Sequence, residues 1–251
     1  ASDVYKRQLY TLEQIPVVEQ LILSYMALGD WEEADTYNNY LFHVLYKAYG
    51  KDDPRLIPVL ERLATWNIQA FKIGYGSLMG IKLRQSQIMF SAAARMVDVH
   101  FGKADKRFVN YQRNIASSSY LGARNPDLMV EIGRPEYRVM QQTLAEKLNE
   151  QRQVQSPGFR TGERALVEIV MFYQEQGYDA YALAEAITHV GDWYLMFGQD
   201  KGALGNYKVA WGILQELEDS EELTQRLFGK VTPLPAFGSS IETPDAFYRN
   251  G

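Results

Sequence analysis

The chain has 251 residues, of which 46% are hydrophobic and 23% charged, and its net charge is -5. This composition is ordinary for a globular protein, and the acidic balance excludes the basic footprint of a protein that binds nucleic acid or an anionic membrane. The chain lacks cysteine, so it has no disulfide and no thiolate site, and no apolar run approaches the roughly 18 residues of a membrane-spanning helix.

The first eight residues are set apart from the rest. Residues 3–8 have the sequence DVYKRQ, which is the translation of the end of a common transposon-based sequencing adapter. We interpret residues 1–8 as a sequencing-adapter scar rather than a natural N-terminus and leave them out of the fold. On this interpretation the natural N-terminus is missing and the compartment is open, with a periplasmic or cell-envelope location slightly favoured.

Helical periodicity begins directly after this segment. Apolar residues recur at the 3.6-residue spacing of an amphipathic helix. Gly29 and Gly50 are placed to end helices, and Asp30 and Asp53 to cap the next ones. The predicted helices are residues 11–28, a second that ends near Tyr49, a third from Asp53 to about Lys72, then 81–101, 106–121, 137–153, 163–176, 178–197, 200–218 and 221–228.

The remaining segments are predicted as loops or tail. Residues 122–134 are polar and broken by Pro126 and Gly133, and Ser156-Pro157-Gly158 is a typical helix breaker. No segment shows the alternating pattern of a strand. We therefore expect a helical domain over residues 9–228, with an insertion at 122–159, and an extended tail or linker over 229–251.

A block of sequence is repeated within the chain. IPVVEQL at residues 15–21 returns as IPVLERL at 57–63, and a weaker third copy follows, since GKDDPRLIPVLERLA at 50–64 resembles GKADKRFVNYQRNIA at 102–116. Repeats a few tens of residues apart are typical of stacked supersecondary units. The sequence therefore predicts a solenoid.

The last helix pair resembles a tetratricopeptide repeat. Its spacing of small and aromatic residues agrees with that family's pattern, which brings two helices close together. The matching residues are Ile187, Val190, Gly191, Tyr194, Gly198, Ala203, Tyr207 and Ala210.

The first pair resembles the long repeats of the kinesin light chain type. Val18, Leu21, Tyr25, Gly29, Ala34 and Leu41 hold the tetratricopeptide spacing. Ile22 and Asn38 depart from it, and YGKDDP closes the unit. Together these resemblances imply an all-α, right-handed α-α superhelix of about four helix pairs with an inserted helix. The expected pairs are residues 11–49, 53–101, 105–176 and 178–218.

No catalytic, cofactor or metal site is predicted. His43, His100 and His189 lie far apart, and none has a second ligand at the H-x-x-x-H or H-E-x-x-H spacing. The glycines at residues 74–80 do not have the spacing of a phosphate-binding loop, and no G-x-S-x-G motif occurs.

The expected binding surface is the concave face, which the first helix of each pair lines in such arrays. The repeat register places these residues there, with Ile68 and Leu195 beside them: Glu19, Leu23, Met26, Glu61, Thr65, Gln69, Arg113, Ser117, Tyr120, Thr188 and Asp192. Glu19, Glu61 and Asp192 occupy places where chaperone-binding relatives have a basic carboxylate clamp, so that function is not expected. The alternative is that this face is only solvated.

We therefore predict a non-catalytic interaction or scaffold module that binds a peptide or protein, without nucleic acid, membrane insertion or cofactor. One alternative is the repeat arm of a bacterial cell-envelope transport protein of the energy-transducer type, cut at its C-terminus. It rests on a likeness to proteobacterial envelope proteins whose repeats lead through a Leu-Pro segment, here Leu234-Pro235-Ala236-Phe237. Another is an enzyme on an α/α scaffold, which a deep pocket with converging histidine and carboxylates would favour.

Overall fold

The computed structural model describes residues 12–76, 79–125, 157–177 and 179–229. Within these ranges the chain forms nine α-helices and two short 3-10 turns, and no strand. The helices are α1 Ile15–Leu28, α2 Trp31–Tyr49, α3 Ile57–Lys72, α4 Met79–Phe101, α5 Lys106–Arg124, α6 Pro157–Gln176, α7 Ala180–Met196, α8 Asp200–Gln215 and α9 Ser220–Phe228. The adapter segment, the predicted helix at 137–153 and the tail from residue 230 lie outside the described residues.

Glycines end several of the helices, and aspartate side chains cap the starts of the helices that follow. Gly29 ends α1 with φ 74°, and the Asp30 side chain accepts a hydrogen bond from the Glu33 amide at 3.3 Å. The two later copies of the repeat share a tighter cap. Asp53 and Asp105 each accept from the amide two residues on, at 2.9 Å, and bind the guanidinium of Arg55 and of Arg107. The repeated block therefore conserves its turn within this chain.

Five predicted helix starts were wrong by two or more residues, including α3, which begins at Ile57 rather than Asp53, and α7, which begins at Ala180 rather than residue 178. α1 begins at Ile15 rather than residue 11, and a 3-10 turn precedes it because Pro16 has no amide to donate. α4 begins at Met79 rather than 81. α6 begins at Pro157 rather than 163, since proline at the first helical position favours a helix start instead of breaking it.

The helices pack in chain order. α1 packs on α2, α3 on α4, α5 on α6 and α7 on α8, and each second helix of a pair also contacts the first helix of the next. We call α1, α3, α5 and α7 the first helices, and α2, α4, α6 and α8 the second helices. One apolar core continues from Val18 in α1 to Phe197 after α7. The prediction of an all-α solenoid is confirmed.

Two close helix contacts lie on either side of α7. The ring of Tyr207 in α8 covers Gly191 of α7, and a Cβ on Gly191 would meet the ring at 2.5 Å. On the other side, Trp193 of α7 lies against Gly162 of α6, where a Cβ would overlap the indole. Trp193 is only 1% exposed. These glycines set how near α6 and α8 come to α7.

We expect Gly191→Ala to lower the free energy of unfolding by about 1–3 kcal/mol, because the methyl group must displace a packed ring. Gly205→Ala is the matched control in α8, since nothing lies within 4 Å of its Cβ position. It should raise that free energy by up to about 1 kcal/mol through helix propensity. Urea unfolding followed by circular dichroism measures both, and equal effects at the two sites would contradict the packing argument.

Candidate functional site

Four charged residues predicted on the concave face join neighbouring helices. Each is half-buried and bonded to a residue of the next helix or of the next first helix. We call these contacts the inter-helix ties. They are Arg62 to Glu19 at 2.6 Å, the Tyr111 hydroxyl to Glu61 at 2.8 Å, Arg113 to the Tyr173 hydroxyl, and the Tyr207 hydroxyl to Asp192 at 2.7 Å. These side chains contribute to stacking whether or not they meet a partner.

Burial raises the pKa of one group in each of two inter-helix ties, namely Tyr111 and Asp192. Burial and the neighbouring Glu61 carboxylate raise the pKa of the Tyr111 phenol far above its usual range. Burial also raises the pKa of Asp192, although the hydrogen bond from Tyr207 opposes this shift. Burial and the Asp192 carboxylate raise the pKa of the Tyr207 phenol as well, so both phenols remain hydrogen-bond donors well above neutral pH.

The three small hydroxyl residues predicted on the concave face are buried. Thr65 and Ser117 are 5% exposed and Thr188 is 3% exposed. Thr188 donates to the Ala184 carbonyl within its own helix at 2.9 Å. These side chains lie in helix–helix interfaces, so a partner reaches them only where a cleft opens beside them.

The accessible part of the predicted face is smaller. Leu23, Met26, Gln69 and Tyr120 are half-buried, with Met26 and Tyr120 packed against the edge of the core. Of the two residues predicted beside them, Ile68 is fully buried and Leu195 is 51% exposed. Binding by these positions stays a prediction.

A small cleft opens where α5, α6 and α7 meet. Its volume is about 40 Å³, and Arg113 and Ser117 line it from α5. Tyr173 of α6 and Glu185 and His189 of α7 complete its polar lining, and Leu166 and Ile169 close its apolar side. The structure thus brings two predicted residues together with three that sequence reasoning missed. A usable signal existed, because Glu185 and His189 are four residues apart and share one helix face.

His189 is the unusual group in the cleft. Its side chain is 7% exposed, and its Nε2 has no hydrogen-bond partner among the described residues. Burial, helped by the positive charge of Arg113, lowers the pKa of His189 to about 4. The imidazole is therefore neutral at physiological pH.

The cleft combines donors and acceptors in a small space. Arg113 can donate from α5, whereas the Glu185 carboxylate accepts from α7. The volume of about 40 Å³ is enough for about three water molecules or one small polar group, since one water needs about 10–15 Å³. Across the described ranges no group of three or more potential ligand side chains converges to hold a metal ion.

The comparisons with known proteins identify no family for this chain. No family model matches the sequence, and no curated protein matches it. Among solved structures, the crystal structure of BtubC (BKLC) from P. vanneervenii superposes with a TM-score of 0.47 at 11% sequence identity, covering 88% of this chain and 67% of that one. In the described part of the chain, no helix is both long and apolar enough to cross a membrane.

His189 should make stability depend on pH. Its folded pKa of about 4 lies below the ordinary value of 6.5. The contribution of neutral His189 to the free energy of unfolding is therefore fully present above pH 6.5. It is lost as pH falls towards 4, because in this range the unfolded state binds the proton and the folded state does not. The loss should approach about 3 kcal/mol.

Urea unfolding at pH 7.5, 5.5 and 4.5, for the wild type and His189→Leu, measures this loss. As pH falls, the free energy of unfolding of the wild type should decrease relative to that of His189→Leu. Asp192 has a raised pKa, so its own protonation stabilises the folded state as pH falls. Because Asp192 is present in both proteins, the difference between their free energies of unfolding removes this contribution. Parallel curves for the two proteins would show that His189 is not the group responsible.

Proposed function

We propose that this chain is a non-catalytic protein-interaction module of the tetratricopeptide type, which binds a peptide or protein segment along its first helices. The cleft at Arg113 and His189 anchors that segment. The observation that carries the proposal is the juxtaposition of the predicted contact residues Arg113 and Ser117 with a buried imidazole nitrogen that has no partner in the described structure. An unpaired buried polar atom costs free energy, and a bound polar group would recover it.

Binding accounts for this cleft better than catalysis does. A histidine with a pKa of about 4 is a poor general base at neutral pH. A volume of about 40 Å³ admits the tip of a side chain but not a substrate. The arrangement has one histidine and one carboxylate, so it only partly resembles the pocket that an enzyme on this scaffold would need.

The inter-helix ties narrow the surface that a partner can use. Glu19, Glu61 and Asp192 are already bonded to other helices. Specificity would then come from accessible positions on the same helices, namely Met26 and Gln69, together with the cleft. The alternative of an envelope-transport arm stays a prediction, since no described residue bears on it.

A peptide selected from a random displayed library tests the proposal. We expect the triple substitution Met26→Ala, Gln69→Ala and Arg113→Ala to weaken binding by about tenfold or more, measured by fluorescence anisotropy. The matched control is Glu32→Ala, Thr36→Ala and Lys47→Ala on the exposed side of α2.

Thermal melts of both variants separate lost binding from lost folding. The control should bind like the wild type. If the first-helix variant folds and binds every selected peptide with unchanged affinity, the first-helix surface is not the binding site.

A further inference from the structure

The outer faces of three second helices have the same composition. Each exposes two cations and two apolar residues along one stripe of the helix, at spacings that keep them on one side. We call these three stripes the basic-apolar face. Its residues are Arg84, Ile88, Arg95 and Val99 on α4; Arg160, Arg164, Val167 and Met171 on α6; and Lys201, Leu204, Lys208 and Trp211 on α8.

The cations of this face have no partner among the described residues, whereas many cations elsewhere do. Arg62 pairs with Glu19, Lys82 with Asp35 at 2.9 Å, and Arg107 with Asp105 at 2.7 Å. All six arginine and lysine side chains of the basic-apolar face are exposed. Their charges are therefore available to an external group.

The two half-buried carboxylates beside the stripe of α6 are bonded to other helices or turns. Within α6, Glu163 accepts from the Tyr194 hydroxyl at 2.5 Å, and Glu168 pairs with Lys103 at 2.9 Å. On α4, α6 and α8 the exposed acids are Glu175 and Asp200, both at helix ends, and the half-buried Asp98 lies three residues after Arg95. A chain with a net charge of -5 thus presents one face that is locally positive.

The three stripes point to the same side of the solenoid. α4 packs on α3 and α5, and α6 packs on α5 and α7. Their exposed sides therefore face away from the layer of first helices, and α8 repeats the arrangement with α7 and α9. The Lys103–Glu168 pair ties the turn after α4 to α6. The face is separate from the cleft, so it goes beyond the proposed function.

We infer that the basic-apolar face docks an acidic amphipathic helix of a partner protein. Glutamate or aspartate at i and i+4 on such a helix can meet the cations, while apolar residues between them cover exposed side chains such as Ile88, Val99 and Trp211. Because the face carries positive charge, the partner helix must carry negative charge. Because cations and apolar residues alternate along each stripe, the partner helix must also be amphipathic.

The interleaving favours a protein helix over an anionic lipid surface. Insertion at a bilayer needs a continuous apolar face with the cations on its flanks. Here Val167 and Met171 are only 40% exposed and share their stripe with the longer Arg160 and Arg164. On α6 the apolar side chains therefore lie lower than the charges, which suits a facing helix better than acyl chains, whereas Ile88 and Val99 of α4 are 61% and 73% exposed.

The test uses the full chain and a displayed library of amphipathic helical peptides that encodes Glu, Lys or Gln at each polar position. We expect selection to enrich Glu over Lys. The affinity of an enriched peptide should fall by about tenfold or more with Arg95→Glu and Arg164→Glu combined. It should also weaken with added salt. Lys47→Glu with Lys106→Glu is the matched control, because it makes the same charge change at exposed positions outside the face.

Three outcomes would overturn the inference. They are enrichment of Lys or Gln peptides or of none, equal effects of the two double substitutions on folded proteins, and binding to vesicles of phosphatidylcholine and phosphatidylserine without binding to acidic peptides. The triple substitution Met26→Ala, Gln69→Ala and Arg113→Ala should leave the enriched peptides bound, so failure here is distinguishable from failure of the proposed function.

Discussion

The close approach of α7 to both of its neighbours is the constraint on which the second half of the molecule depends. Trp193 of α7 packs against Gly162, and Tyr207 packs against Gly191 of α7. Two aromatic rings are thus accommodated by two missing side chains, in interfaces where interior packing leaves little free volume. Because α7 is held in this way, His189 is fixed opposite Arg113, and the cleft is a consequence of helix packing rather than of a loop.

The repeat pattern predicted this architecture well because it encodes packing and turns. Gly191 and Tyr207 appeared in the sequence at the spacing of a close helix pair, and the structure places them in contact. The two aspartate caps were visible as copies of one block. Helix starts at prolines were less predictable, because proline both prevents a normal first turn and favours the first helical position.

The binding surface was harder to predict for a physical reason. Repeat register says which side of a helix a residue occupies, but not whether a neighbouring helix supplies its partner. Glu61 occupies the expected face, and its carboxylate accepts from Tyr111, which lies 50 residues later in the chain. The cleft could not be predicted from the repeat register for the same reason, since Arg113 and His189 approach each other only after α6 and α7 have packed.

Net charge alone does not show how charges are distributed over the surface, because it sums residues that the fold separates. Several carboxylates are used in caps, as at Asp53 and Asp105, and in ties to neighbouring helices, as at Glu19 and Glu168. Six of the remaining exposed cations lie on three of the second helices, where alternate packing turns one side of each helix outward. A stacked array thereby acquires two chemically different sides from one acidic sequence. In the layer of first helices several charged side chains are bonded to neighbouring helices, and in the layer of second helices the six cations of the basic-apolar face are exposed.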